Sequence, residues 1–380
     1  LILNLQQSPG NLPFFSQWLN SYLFSTLRGH PSVSEQVTLA DIARESGFSL
    51  ATVSLALRNR PGVSEETRKR VLEVAAALGY ELHAPETAPG PSIGTVGLLM
   101  KSEPGLPPSG GYFYGPVLAG IEEQCRHHRV NLFYAGVPVD AYSRALESPL
   151  LFTNPALDGL LLVGVQLDES LALTLSRRRL PLVLVDAYAD APRYDAVLCD
   201  NFQAAYTGVS YLVQRGHRHI ALVGGGPRAY PSIADRYRGY QQALLDQGIT
   251  AHYVADCPLR GSAALEATRA LLEQHPEITA IFGCNDDVAI AAMQAARETG
   301  RAVPEQLSVL GFDDIELAQH VTPALTTLRV DKVAMGQMAM QLLFWRVENL
   351  ETPRLTVLIH PTLVERQSVC EVPTCEGVHV

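Results

Sequence analysis

No apolar run in these 380 residues reaches the ~18 positions that a helix needs to cross a bilayer. A membrane protein is therefore not expected. The first residues also lack the order of a secretory leader, in which a basic stretch precedes a clean apolar one and a small-residue cleavage site. Residues 1–36 hold Pro9, Gly10, Pro13, Gly29 and Pro31 and sustain no period, so they read as a poorly ordered extension. There is no initiator methionine; a valine codon can serve as a start, and the expected natural start is Val33 or Val37. Among the six cysteines (Cys125, Cys199, Cys257, Cys284, Cys370 and Cys375) no two are spaced C-x-x-C. That pattern suits reduced thiols of a cytoplasmic protein better than a disulfide framework or a metal site.

Signals of catalysis are equally sparse. Gly224-Gly225-Gly226 follows an apolar stretch but has neither the G-x-G-x-x-G spacing nor a P-loop lysine, so it reads as a plain loop. The missing fingerprint also argues against a Rossmann-type oxidoreductase. His127-His128 and the His217/His219 pair have no carboxylate or cysteine at ligand spacing, and they read as surface or loop histidines rather than metal ligands. No Ser-His-Asp, Cys-His or paired-carboxylate arrangement stands out. Neither an enzyme, a cofactor nor a metal is expected.

Acid outweighs base, for a net charge of −10, which at first disfavours a nucleic-acid partner. The surplus is unevenly placed. Residues 37–83 carry six Lys/Arg and six Asp/Glu, and residues 1–36 only Arg28 and Glu35. All of the excess acid lies beyond His83. A neutral segment on an acidic body is compatible with DNA docking through the segment alone.

Three helical patterns occupy that segment. Thr38 can cap a helix over 39–44 with Leu39, Ile42 and Ala43 on one face, and Gly47 breaks it. Ser49 caps a second, over 50–57. After a Pro61-Gly62 loop, Ser64 caps a third, with Glu65 and Glu66 in the first turn, where the helix dipole favours acids. Residues 81–92, with Pro85, Pro89, Gly90 and Pro91, form a stiff linker. From Ile93 onward, strands are expected over 93–100, 130–137, 157–165, 180–188, 219–224, 278–284 and 307–312. Helices are expected between them, over 117–128, 170–177, 202–215, 234–247, 263–274 and 287–299. Strands that read as continuous apolar runs are buried on both faces, as in a parallel sheet covered by helices. Two such stretches, parting near residue 200, predict two doubly wound lobes with a ligand cleft at the carboxyl ends of the strands.

Residues 37–80 resemble the headpiece of the lactose-repressor (LacI/GalR) family. The resemblance rests on Thr38-Leu39-x-x-Ile42-Ala43, Gly47, Ala51-Thr52-Val53-Ser54 and Val63-Ser64-x-x-Thr67-Arg68. It continues in Asp158-Gly159, Asp186, Asp200-Asn201, Arg236-x-x-Gly239-Tyr240, Asn285-Asp286-x-x-Ala289, Gly311-Phe312-Asp313-Asp314 and Leu363-Val364-Glu365-Arg366, and covers about residues 37–368. It implies an all-α helix-turn-helix headpiece on an α/β two-lobed sensor core of the type I periplasmic-binding-protein kind, with doubly wound parallel sheets. The domains would be 1–36 extension, 37–80 headpiece, 81–92 linker, 93–369 sensor and dimerisation domain, and 370–380 tail.

The resemblance implies a cytoplasmic transcriptional repressor that binds a double-stranded DNA operator as a homodimer. A helix-turn-helix lays its second helix in the major groove. Its expected DNA contacts are Thr38, Ser49, Leu50, Ala51, Thr52, Ser54, Leu55, Arg58, Asn59, Ser64 and Thr67. Leu55 stands where many members carry a DNA-contacting arginine, and the linker has three prolines where the family continues with a hinge helix. An extended spacer is therefore expected in place of that helix. The effector would be a small molecule, a sugar, held by Arg236, Asp286 and Asp186, with Phe113 or Tyr114 supplying an aromatic face. Two other readings compete, and the sequence argues against the first. A periplasmic sugar-binding protein shares the two-lobed core but would need a leader and no headpiece; a cytosolic sensor with weakened DNA binding keeps both parts.

Overall fold

In the computed structural model, which describes residues 39–57, 63–78, 93–102, 111–140, 142–176, 180–190 and 193–372, the chain divides into two units, one within residues 4–90 and one from 91 onward. The expected extension over 1–36, Thr38, Arg58, Asn59 and the linker over 81–92 lie outside the described residues.

The smaller unit holds α1 (Leu39–Ser46), α2 (Leu50–Leu57) and α3 (Glu65–Ala77). Gly47, at φ +74°, makes the turn between the first two, a conformation glycine adopts without a Cβ penalty. The Ser64 hydroxyl accepts the Thr67 amide at 3.2 Å and so caps α3. Ile42, Val53, Ala56, Val71, Val74 and Ala75 bury against one another, one apolar stripe from each helix. Arg68 ties α3 to the end of α2 by donating to the Ala56 carbonyl at 3.0 Å.

The larger unit is built on two six-stranded sheets. The first runs β13 (Thr356–Ile359), β7 (Asp195–Cys199), β5 (Leu182–Val185), β3 (Gly159–Val163), β1 (Thr95–Ser102) and β2 (Asn131–Pro138), all parallel. The second runs β14 (Thr362–Val364), β12 (Thr326–Arg329), β11 (Ser308–Asp313), β10 (Ala280–Gly283), β8 (Ile220–Val223) and β9 (Tyr253–Ala255), parallel except for β14. The fully apolar inner strands are buried throughout, as their sequence required. A small parallel pair, β4 (Gln166–Leu167) and β6 (Tyr188–Ala189), lies beside the first sheet's order.

Helices α4 (Gly111–His128) and α10 (Lys332–Glu348) go with the first sheet, as does α5 (Glu169–Ser176), whose Leu171 and Leu175 share a core with Leu160, Leu162, Leu182 and Leu184. Helices α6 (Asn201–Gln214), α7 (Pro231–Asp246), α8 (Gly261–Gln274) and α9 (Asp286–Glu298) go with the second. Helices α4 and α10 cross closely at Gly120 and Gly336; a Cβ on Gly336 would lie 3.0 Å from the Ile121 amide nitrogen. The chain passes between the lobes three times, from β7 to α6, from β12 to α10 and from β13 to β14.

The division near residue 200 is where the sequence placed it, since Asp200 caps α6 just after β7. Strands β4, β7, β9, β12, β13 and β14 and helix α10 lie outside the expected elements. Nor does the body end at 369: the Cys370 amide donates to the Ser308 hydroxyl at 3.0 Å and the Val372 amide to the Arg215 carbonyl at 2.9 Å, so the ordered strap runs into the expected tail.

Candidate functional site

Asp186 directly follows β5 and Asp313 ends β11, so each lobe presents a carboxylate at the carboxyl end of a central parallel strand. Open α/β sheets bind ligands there. Both residues have positive φ, +45° and +107°, conformations that cost a side-chain-bearing residue free energy and concentrate at ligand sites. The Tyr114 hydroxyl, from the first turn of α4, donates to Asp186 Oδ2 at 2.7 Å. Phe113 meets the Tyr114 ring edge to face at 5.0 Å, and the Lys101 ammonium at the end of β1 lies 5.4 Å from that ring's centroid.

The second lobe contributes Arg236 from α7. Its Nε donates to Asn201 Oδ1 at 2.8 Å, Nη1 to the Cys284 carbonyl, and Nη2 reaches Asp313 Oδ1 at 3.4 Å. The guanidinium lies 3.6 Å from the centroid of the Phe312 ring. Lys332, at the start of α10, is buried and donates to the Asp313, Asp314 and Val330 carbonyls. Burial pushes the Asp313 carboxyl up to about 6, against the pull of Arg236 and Lys332. Burial also raises Asp186, countered by the Tyr114 hydrogen bond and by Arg236 and Lys101. Two carboxylate acceptors and one fixed planar donor, beside aromatic rings and shielded from water, form a set that can bind several hydroxyl groups at once.

Asp286, the other expected acid of this lobe, lies beside Asp313. It is fully buried, with Oδ2 accepting the Ile315 amide at 2.8 Å and Oδ1 the Thr327 hydroxyl at 2.5 Å. Each oxygen thus holds one partner inside the second lobe, and the pair of bonds braces the loop after Asp313. Burial and the neighbouring Asp313 push its carboxyl up to about 8 despite those two bonds. Tyr114 likewise offers no open face, being buried and tied to Asp186; Phe113 is the partly exposed ring. Of the expected effector contacts the structure thus gathers Asp186, Arg236, Tyr114 and Phe113. Sequence reasoning missed Asp313, Asn201, Lys332 and Tyr230, whose hydroxyl donates to the Asp186 carbonyl at 3.0 Å. Asp313 could have been found by the rule that picked Asp186, since it directly follows the apolar run 307–312.

In the headpiece, the Ser49 hydroxyl accepts the Thr52 amide at 3.2 Å and lies 2.9 Å from the Thr52 hydroxyl. Ser64 and Thr67 repeat the arrangement at 3.2 and 2.8 Å. Of these four expected DNA contacts, Ser49 and Ser64 precede the helices as caps and Thr52 and Thr67 lie in the first turns of α2 and α3, all with hydroxyls engaged locally. The side chains of Leu50, Ala51, Ser54 and Leu55 lie outside the described residues. His217 is a core residue: it is buried, which lowers its pKa, and it bonds the Thr279 hydroxyl at 3.0 Å and the Cys370 carbonyl at 3.1 Å.

Residues 38–81 match the family described as "Bacterial regulatory proteins, lacI family", and residues 209–369 match a periplasmic binding protein-like domain. The ribose operon repressor of Haemophilus influenzae is 31% identical over 346 residues, 87% of this chain and 98% of that protein. The chain belongs to the lacI family. Among solved structures, the cellobiose complex of the transcriptional regulator CelR is 25% identical, with a TM-score of 0.62, and the alignment covers 88% of this chain and 100% of that one. The Lac repressor dimer bound to operator and the anti-inducer ONPF, at 24% identity and the same coverage, has a TM-score of 0.62 and shares the fold. This LacI-family chain accordingly has a helix-turn-helix unit and a type I periplasmic-binding-like core with parallel sheets. No helix among its described residues is long and apolar enough to cross a membrane.

Proposed function

We propose that this LacI-family protein is a cytoplasmic, homodimeric transcriptional repressor whose affinity for a DNA operator is set by one small polyhydroxylated effector, a sugar, held between the lobes. The observation that carries the reading is that Asp186, at a strand end of one lobe, lies within electrostatic reach of Arg236 and Asp313 of the other. A ligand bridging these groups has a different contact set in the open and the closed core, and only such a difference can shift a conformational equilibrium. The ribose operon repressor and the CelR–cellobiose complex support a sugar as the class. The headpiece would place α2 in the major groove, with Ser49 and Thr52 near the duplex and the dimer matching paired half-sites.

Selection of operator sequences from a random DNA pool, repeated with and without a panel of neutral sugars, tests the reading. A palindromic consensus whose retention changes with one sugar is the expected result; no consensus, or a consensus indifferent to every sugar, refutes it. The neutral headpiece and Leu55 favour a second reading, a sensor that binds DNA only weakly. Sugar binding by calorimetry without recovery of any consensus would select that one.

A further inference from the structure

Tyr230 sits in the loop before α7, outside the three passages between lobes. Its backbone is pinned. It is the N-cap residue of α7, with its carbonyl accepting the Ile233 and Ala234 amides at 2.8 and 2.9 Å. Pro231 follows at the first helical position and confines the preceding residue to extended backbone, here ψ 144°. The side chain therefore leaves the second lobe from a fixed root, and its contacts lie in the first lobe. The hydroxyl donates to the Asp186 carbonyl at 3.0 Å. The ring meets the Tyr188 ring edge to face, with centroids 5.3 Å apart and planes at 87°. The Lys101 ammonium lies 6.0 Å from the ring centroid.

Every one of these partners is a protein group of the first lobe. The bridge also ends on the residue whose carboxylate faces the candidate ligand site. We propose that Tyr230 is a latch that holds the two lobes closed on each other and so sets how readily the cleft opens to admit an effector. Its bearing on effector entry rests on the function proposed above; the latch itself is a property of the protein alone.

Amide hydrogen exchange of the full chain, without DNA or sugar, tests it on Tyr230→Phe, which removes only the hydroxyl, and on Tyr230→Ala, which removes the ring. Loss of one neutral hydrogen bond corresponds to about a five-fold shift in an opening equilibrium. Tyr230→Phe should therefore speed exchange about five-fold at residues 186–189 of the first lobe and 313–315 of the second together, and Tyr230→Ala should speed it further. Helix α8, which packs against α9, β8 and β9, keeps its wild-type rates, and a melting temperature lowered by no more than about 2–4 °C shows that the fold of Tyr230→Phe is intact. Wild-type rates at 186–189 in both variants overturn the proposal, as does a change confined to residues 224–233. A failed operator selection or sugar screen would leave these rates as they are, so the two readings fail separately.

Discussion

Asp313 and Asp286 lie in the same lobe and interact electrostatically, yet they call for opposite experiments. Asp313→Asn keeps the side-chain shape and removes a charge that faces Arg236. Affinity for the sugar found by screening should fall by ~1.5–3 kcal/mol, the usual weight of a charged hydrogen bond, as read by calorimetry. Asp286→Asn should leave that affinity nearly unchanged and act on stability. Burial holds the Asp286 carboxyl's pKa up at about 8 in the folded protein, above its unfolded value. A carboxyl raised on folding favours the folded state while protonated, so its contribution is present at low pH and is lost as pH rises through about 8. Asp286→Asn, whose amide nitrogen cannot accept one of the two bonds, should cost ~1–3 kcal/mol at pH 5, and should lose less stability than the wild type between pH 5 and pH 9, where the wild-type carboxyl ionises. Melting curves at the two pH values decide it, and an equal effect at both would remove ionisation as the cause. Sequence placed both residues at strand ends in one motif string. The bonds that engage Asp286, from the Ile315 amide and the Thr327 hydroxyl, come from segments distant in sequence and have no local signature.

Elements were legible wherever one face was apolar and a cap marked the end. The three headpiece helices began at or beside the expected caps, and Ser64 closes its helix by the bond that its position implied. Helix α10 escaped because it is covered on two sides, by α4 and by the first sheet, so Met335, Ala339, Met340, Leu343 and Phe344 leave no polar stripe to set a period. Strands β13 and β14 escaped because they are short and half-buried at sheet edges. What fixes α10 is Arg346, fully buried and bonded twice to Asp195 of β7, at 2.5 and 2.8 Å, and to the carbonyls of Thr352 and Pro353 ahead of β13. Replacing Arg346 by Met would strand the Asp195 charge, at a cost of ~3–5 kcal/mol in urea unfolding of the whole chain. A loss below ~1 kcal/mol would mean that the pair contributes little to joining α10 and β7.

Across the whole molecule, charge is partitioned with the fold: the headpiece region is neutral and the body carries the surplus acid. Operator affinity should weaken with salt, since each neutralised phosphate adds ~0.9 to the slope of log affinity against log salt. With six Lys/Arg in residues 37–83, the slope should stay below about 5 per headpiece. A titration in potassium chloride measures it, and a steeper slope would require basic contacts from beyond the headpiece.

The three passages between the lobes also bear on synthesis. The first lobe takes its strands from Thr95 to Cys199, then waits for α10 and for β13, which closes its edge at Thr356–Ile359. The second lobe, begun at Asn201, in turn waits for β14. On the ribosome, then, neither lobe can be finished before the other has been almost wholly translated, and the nascent chain must carry two incomplete sheets until its last strands emerge. A chain terminated by a premature stop after α9 would lose part of both lobes at once, and would be matter for a protease rather than a half-working sensor.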